Sequence, residues 1–175
     1  MRAWLLALMM LSMTLTGCIG GDDAEEELMA MPSFSSVADN GQTYDNEAMA
    51  GSGYIVVFSA EWCSSPCHTT MHAIWDVKPE LTVLVMSTDP SERPNGITLN
   101  DWHDAADAHD DEGDDMGVNL STYAFMKGSE TAAEIGIETP GSVAFVDAAG
   151  YIVYLHNGRL NDVSIIAEQL EAIGL

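Results

Sequence analysis

The chain has 175 residues, enough for one domain of ordinary size with a hydrophobic core. Apolar residues make up 47% of it, so most of the chain is expected to be globular rather than disordered. It carries 28 acidic and 5 basic residues, for a formal net charge of −23. This balance argues against nucleic-acid binding, because phosphates are neutralised by clustered Lys and Arg. Three cysteines are too few for a disulfide scaffold.

Residues 1–17 have the pattern of a signal peptide. Arg2 supplies the positive start, and the apolar run Trp4–Leu15 is too short to span a bilayer comfortably. The run ends in Leu15-Thr16-Gly17-Cys18, which resembles a prokaryotic lipobox. The motif predicts that Cys18 is lipidated and becomes the first residue of the mature chain. The alternative is an ordinary signal peptide with Cys18 near the cleavage site by chance.

A lipidated Cys18 anchors the protein to the cell membrane on its extracytoplasmic side, where disulfides persist. Residues 18–32 then form a tether, because the acidic run Asp22–Glu27 repels itself and stays solvated. Residues 33–175 form the domain. In the mature chain Cys63 and Cys67 are the remaining thiols.

The pattern of apolar residues, turn residues and capping residues predicts an α/β domain with a mixed central sheet and helices on both faces. Gln42–Ser52 is interpreted as a loop with room for one helical turn, and Thr98 or Asn100 as the N-cap of the second helix. The predicted elements, in chain order, are strand Phe34–Asp39, strand Gly53–Ser59, helix Cys67–Val77, strand Leu81–Met86, helix Asn100–Asp111, a short strand within Val118–Met126, helix Ser129–Ile135, strand Val143–Val146, strand Tyr151–Leu155 and helix Asp162–Ile173.

Two cysteines follow the buried strand Gly53–Ser59 directly, in Trp62-Cys63-Ser64-Ser65-Pro66-Cys67. A helix N-terminus carries unpaired N–H groups and a partial positive charge, which stabilise a thiolate. Pro66 suits the first helical position, and Ser65 would be its N-cap. A structural disulfide is the alternative to a redox-active pair.

These residues resemble the thioredoxin-like superfamily, in its extracytoplasmic TlpA-like branch. The resemblance rests on Phe58–Cys63, on Asp39-Asn40-Gly41, and on Ile135–Pro140 followed by a strand and Asp147–Gly150. It implies that Cys63 is the exposed attacking thiol and Cys67 the buried resolving thiol. It also implies that Pro140 is a cis-proline facing the disulfide, and that Trp62, Thr139 and Pro140 contact the partner.

Two features depart from thioredoxin itself. The cysteines are separated by three residues, so Cys63 must lie off the helix for a disulfide to close. Val57 occupies the position of thioredoxin's buried acid, which leaves Glu61 as a candidate proton acceptor.

The three-residue spacing is similar to that of SCO-type copper assembly proteins, as is the segment Asp89-Pro90-Ser91-Glu92-Arg93. Two thiolates suit Cu(I). The third ligand of that family is a histidine near the cis-proline, and Glu138-Thr139-Pro140-Gly141 lacks it.

Histidines elsewhere have more ordinary interpretations. His68 and His72 are spaced as a metal pair, but the favoured interpretation is two solvent-facing histidines. His103 with Asp107, Asp110 and Asp111 is interpreted as an exposed acidic helix face rather than a cation site. His156 lies at the end of the last strand, with no catalytic role expected.

The sequence therefore predicts a membrane-anchored thiol–disulfide oxidoreductase that acts on protein thiols or disulfides through Cys63 and Cys67, without a cofactor. The alternative is a copper-binding metallochaperone that uses the same two cysteines as ligands.

Overall fold

The computed structural model describes residues 28–109 and 117–175. The predicted signal peptide, Cys18 and the acidic run of the tether lie outside the described residues, as do Asp110 and Asp111. Within the described ranges, no helix combines the length and the apolar character needed to cross a membrane.

Eight strands are found in the described part of the chain, six in one mixed sheet of order β1-β8-β7-β4-β5-β6 and two in a hairpin of β2 and β3. The strands are β1 (Met29–Ala30), β2 (Ser35–Val37), β3 (Thr43–Asp45), β4 (Tyr54–Ser59), β5 (Val83–Ser87), β6 (Ala124–Lys127), β7 (Ser142–Val146) and β8 (Tyr151–His156). The helices are α1 (Asn46–Met49), α2 (Ser65–Val77), α3 (Leu99–Asp107), α4 (Ser129–Ile135) and α5 (Val163–Ala172), with a short 3-10 turn at Pro94–Gly96.

The centre of the sheet is apolar on both faces, as β-branched and aromatic runs without alternation predict. Strand β4 lies parallel to β5 and antiparallel to β7, and all of its residues are buried. Ile55 and Val57 face one core, and Val56 and Phe58 face the other.

Helices cover both faces of the sheet, which confirms the predicted α/β architecture. Helices α2, α3 and α5 contribute to the core that contains Ile55. Helix α4 and the β2–β3 hairpin contribute to the core that contains Val56. Within the described ranges, the two large cores therefore lie on opposite sides of the six-stranded sheet.

The hairpin also protects one edge of the sheet. Strand β6 is the outer strand, and Asp39 satisfies two of its backbone groups at Phe125. The Asp39 N–H donates to the Phe125 carbonyl at 2.9 Å, and the Asp39 carboxylate accepts the Phe125 N–H at 2.9 Å. The Asp39-Asn40-Gly41 turn that the sequence predicts places this side chain.

Two strands were not predicted. Strand β3 lies within the predicted loop Gln42–Ser52 and pairs with β2. Strand β1 lies within the predicted tether and pairs with β8, while Met31 next to it is buried. Residues 29–31 therefore belong to the domain. Both strands are two or three residues long, and the pairing partner rather than the local sequence defines them.

Candidate functional site

The carboxyl ends of β4, β5 and β6 lie side by side at one edge of the sheet. Ser59 of β4 pairs with Ser87 of β5, and Ser87 pairs with Lys127 of β6. Loops that leave this edge of an open α/β sheet commonly form its binding site. The loop from β4 to α2 carries Cys63, and Cys67 follows in the first turn of the helix.

The loop between β4 and α2 closes as a tight turn. The Cys63 N–H donates to the Ala60 carbonyl at 2.9 Å. Helix α2 begins at Ser65, and its N-cap is Ser64, whose side chain makes no capping hydrogen bond. The predicted cap at Ser65 is wrong by one residue, because the Ser64 carbonyl already accepts the first helical hydrogen bonds. Pro66 lies in the first turn of α2, where backbone N–H groups have no acceptor within the helix, so the N–H that proline lacks is not needed.

Cys63 and Cys67 are joined by a disulfide, with their Cα atoms 6.0 Å apart. Cys67 is a helical residue, whereas Cys63 precedes the helix. This is the arrangement that a three-residue spacing requires. The two sulfurs therefore meet at the start of α2, where the positive end of the helix dipole favours a thiolate over a thiol.

The two cysteines differ in accessibility. Cys63 keeps 7% of its surface exposed and Cys67 keeps none, while the neighbouring Trp62 is 54% exposed. Cys67 is the more deeply buried cysteine, as the resemblance implies, but Cys63 is also buried, so the prediction that it is exposed is wrong for the disulfide form. Cys63 is thus the less buried of the two cysteines, and it lies beside an exposed indole.

The segment after β5 lies against Trp62. The Trp62 indole N–H donates to the Asp89 carboxylate at 3.1 Å. Hydrogen bonds from Ser91, first through its backbone N–H at 2.8 Å, lower the pKa of Asp89. The resulting carboxylate holds the indole by a charge-assisted bond. The Asp89–Arg93 segment, which the sequence singles out, thus adjoins the cysteine loop.

The loop before β7 approaches the inner sulfur. A β-carbon at Gly141 would lie 3.7 Å from the Cys67 sulfur, and Pro140 immediately precedes this glycine. The predicted cis peptide at Pro140 is wrong, since the described residues contain no cis peptide bond. Gly141 has a φ of +95° and donates its N–H to the Phe58 carbonyl at 2.7 Å, so the glycine makes the turn. The Thr139 carbonyl accepts a bond from Ser142 at 2.6 Å.

Glu61 lies two residues before Cys63 and is buried. Its carboxylate forms an ion pair with Lys127 and accepts a hydrogen bond from the Ser87 hydroxyl at 2.6 Å. Lys127 also donates to the Ser91 carbonyl at 2.7 Å, which ties β6 to the Asp89–Arg93 segment. Glu61 is therefore held by a cation and a hydroxyl.

Sequence reasoning missed Lys127 and Ser87 as site residues. Both stand at the last position of a largely buried strand. Strand β5 is the parallel neighbour of β4, and β6 is the parallel neighbour of β5. That position was the available signal, because the carboxyl ends of adjacent parallel strands meet at one edge.

His68 and His72 are buried, at 5% and 3% exposure. Their interpretation as solvent-facing residues is wrong, because α3 packs over this side of α2: His72 contacts the Ala106 carbonyl at 2.8 Å. Burial, and to a lesser degree the neighbouring His109 and His72, lowers the pKa of His68 to about 4. His68 is therefore neutral at neutral pH.

The polar residues of α3 bind neighbouring segments. The His103 ring lies 2.6 Å from the Asp39 carboxylate and 3.0 Å from the Leu120 carbonyl, and Asp107 accepts the Leu120 N–H at 2.6 Å. This corrects the prediction of a merely exposed acidic face. His156, at the end of β8, contacts the carbonyl of Arg159 at 3.2 Å.

The sequence matches no protein-family model and no curated protein. Its structure resembles those of known proteins. A thio-disulfide isomerase from Thermus thermophilus has a TM-score of 0.63 and 17% identity, covering 84% of this chain and 96% of that one. A SCO1/SenC family lipoprotein from Bacillus anthracis has a TM-score of 0.62 and 12% identity, covering 85% of this chain and 97% of that one.

The exposed lipoprotein thioredoxin Etrx1 from Streptococcus pneumoniae is also similar, with a TM-score of 0.58 and 17% identity over 81% of this chain and 99% of that one. At these identities the likeness shows the fold. The chain has the thioredoxin-like fold, as its sequence predicts.

Proposed function

We propose that the protein is a thiol–disulfide oxidoreductase that exchanges disulfides with protein partners through Cys63 and Cys67. The observation that carries the proposal is the Cys63–Cys67 disulfide at the start of α2, in which Cys63 is the less buried of the two cysteines. Disulfides placed at a helix N-terminus in this way are favourable for exchange, because the thiolate that leaves is stabilised by the helix. The similarity in fold to a thio-disulfide isomerase supports the same function.

The exchange proceeds in two displacements. A partner thiolate attacks the Cys63 sulfur, so a bond forms between the partner and Cys63 while the Cys67 sulfur leaves with the electron pair of the broken bond. The thiolate of a second cysteine in the partner then attacks the partner sulfur that is bonded to Cys63. The partner's own disulfide forms, and Cys63 leaves as a thiolate. The partner gains a disulfide, and the protein takes up two electrons, with Cys63 and Cys67 as thiols or thiolates. The reverse sequence reduces a partner disulfide.

Partner contact is assigned to Trp62 on one side of the disulfide and to Thr139 and Pro140 on the other. Trp62 offers an exposed aromatic surface, and Asp89 holds its ring in place. Thr139 and Pro140 stand immediately before Gly141, the residue beside the Cys67 sulfur. An extended partner segment bound along this loop would bring its cysteine to Cys63.

The protein acts at the extracytoplasmic face of the cell membrane, held by lipid on Cys18. Support comes from the lipobox-like sequence and from the similarity in fold to two proteins described as lipoproteins. An oxidising compartment would maintain the disulfide between turnovers.

Replacement of one cysteine at a time tests the exchange. In Cys67→Ser the mixed disulfide at Cys63 cannot be resolved, so partner proteins are expected to accumulate as adducts on non-reducing gels. In the matched Cys63→Ser variant the inner Cys67 sulfur is inaccessible, and few or no adducts are expected. Equal trapping by both variants, or by neither, would contradict the proposal.

A second candidate is a copper metallochaperone, in which the reduced cysteines bind Cu(I) as cargo. The contact between Trp62 and Asp89 favours it, because it brings the SCO-like segment against the cysteine loop. The two sulfurs fit a soft ion, although the Glu138–Gly141 segment offers no histidine as a third ligand. Two results together would favour this candidate. The reduced protein would bind one Cu(I) per chain and lose this binding in both cysteine variants, and Cys67→Ser would trap no partner.

A further inference from the structure

Three histidine rings meet on the side of α2 that faces α3, away from any role given to them above. His68 and His72 stand one helical turn apart, and His109 follows the end of α3. The His109 ring centre lies 5.1 Å from that of His68 and 5.6 Å from that of His72. Two histidines four residues apart on a helix are the spacing with which helices bind zinc.

His68 carries the strongest sign that something is bound here. It is 5% exposed, and neither of its ring nitrogens has a hydrogen-bond partner among the residues that the structure describes. A buried polar group without a partner destabilises the folded state, and native structures leave few of them. An ion bound by one nitrogen would remove this cost.

The orientation of His72 is typical of a metal-binding histidine. Its Nε2 atom lies 2.8 Å from the Ala106 carbonyl, so the N–H is on Nε2 and the lone pair is on Nδ1. Histidine ligands commonly donate their second ring nitrogen to a backbone carbonyl in this way, which holds the ring and makes the ligand nitrogen more basic.

The ring separations match those expected around one ion. With metal–nitrogen bonds of about 2.0–2.1 Å and tetrahedral angles, two imidazole centres on the same ion lie about 5 Å apart. From the spacing, the unpartnered His68 and these separations, we propose that His68, His72 and His109 bind a borderline divalent transition-metal ion such as Zn²⁺.

Binding requires the rings to turn. In the described residues no three His, Cys, Asp or Glu side chains already converge on one point at ligand distance. Rotation about the side-chain bonds of His68 and His109 would have to bring their nitrogens toward the Nδ1 atom of His72. The net charge of −23 raises the local concentration of cations around the chain.

Metal titration of the full chain tests the proposal. The Cys63–Cys67 disulfide is kept closed and the Cys18 thiol is alkylated, so that no cysteine binds metal, and excess Mg²⁺ occupies surface carboxylates. Calorimetry is expected to show one Zn²⁺ per chain, and Co²⁺ the visible absorption of a tetrahedral site. Zn²⁺ is also expected to raise the melting temperature, since it binds the folded chain.

Histidine variants decide where the ion binds. His68→Leu fills the same space without a polar group, so it is expected to fold and to weaken Zn²⁺ binding by at least about tenfold. His109→Asn is expected to weaken it similarly, and the control His156→Gln to leave it unchanged. The proposal is overturned if wild type shows no saturable binding, or if His68→Leu and His109→Asn bind Zn²⁺ as wild type does. Because the disulfide stays closed, the outcome is independent of the exchange activity.

Discussion

At the scale of single residues, the ion pair between Glu61 and Lys127 links the cysteine loop to β6. The Glu61 side chain is 1% exposed and that of Lys127 is 25% exposed. Removal of the lysine would leave a buried carboxylate with the Ser87 hydroxyl as its remaining described partner. An uncompensated buried charge is far more costly than the loss of a surface ion pair.

Lys127→Met is therefore expected to lower the free energy of unfolding by about 3 kcal/mol. Urea unfolding at constant salt measures the loss. Lys78→Met is the matched control, because it removes the same charge from an exposed position, and a change within about 0.5 kcal/mol is expected. If the two variants lose equal stability, the buried pair does not hold the loop.

Residue identity alone predicted the disulfide pair but not its surroundings. Cys63 and Cys67 follow from a strand, a helix start and their spacing. The prediction of a cis peptide at Pro140 came from the resemblance and is wrong, and the residue beside it, Gly141, has a positive φ. The prediction that His68 faces solvent was wrong because α3 packs on α2. This is a long-range contact, and the apolar periodicity of α2 alone does not predict it.

At the scale of elements, α3 begins with a complete capping box. The Thr98 hydroxyl accepts the Asp101 N–H at 3.1 Å, and the Asp101 carboxylate accepts the Thr98 N–H at 3.0 Å. The sequence left Thr98 and Asn100 as alternatives, and Thr98 is the cap. This cap sets the start of the helix that covers His72.

Thr98→Ala is expected to cost about 1 kcal/mol of stability, since it removes the oxygen that accepts the first-turn N–H. Asn100→Ala, an exposed position in the first turn, is the control and should change stability by less than about 0.5 kcal/mol. Chemical denaturation of both variants provides the comparison. A larger loss in Asn100→Ala would contradict the assignment of the cap.

Elements with a clear local sequence signal were predicted nearly to the residue, whereas strands that depend on a distant partner were not. Strand β4 and helix α4 carry their own signals, a continuous buried run and a terminal Gly136 in the left-handed conformation. Strands β1 and β3 exist because β8 and β2 offer partners to them. Pairing across the chain, unlike apolar periodicity, has no local sequence signal.

At the scale of the whole molecule, the net charge of −23 opposes compaction by self-repulsion. Salt screens such repulsion, with a screening length of about 10 Å at 0.1 M. The melting temperature is therefore expected to rise with salt concentration. Thermal unfolding in sodium chloride and in choline chloride checks this, and an equal rise in both identifies screening rather than binding of sodium. A melting temperature that stays constant from low to high salt would contradict it.

The bonds between Asp39 and Phe125 have a consequence for crowded surroundings. An outer strand with free backbone groups is a template on which the strand of a second chain can add. Here Asp39 supplies both a donor and an acceptor to Phe125 of β6, so the backbone groups of Phe125 that a neighbour's strand would bind already have partners. The hairpin thus disfavours the addition of a second chain's strand to β6 at Phe125.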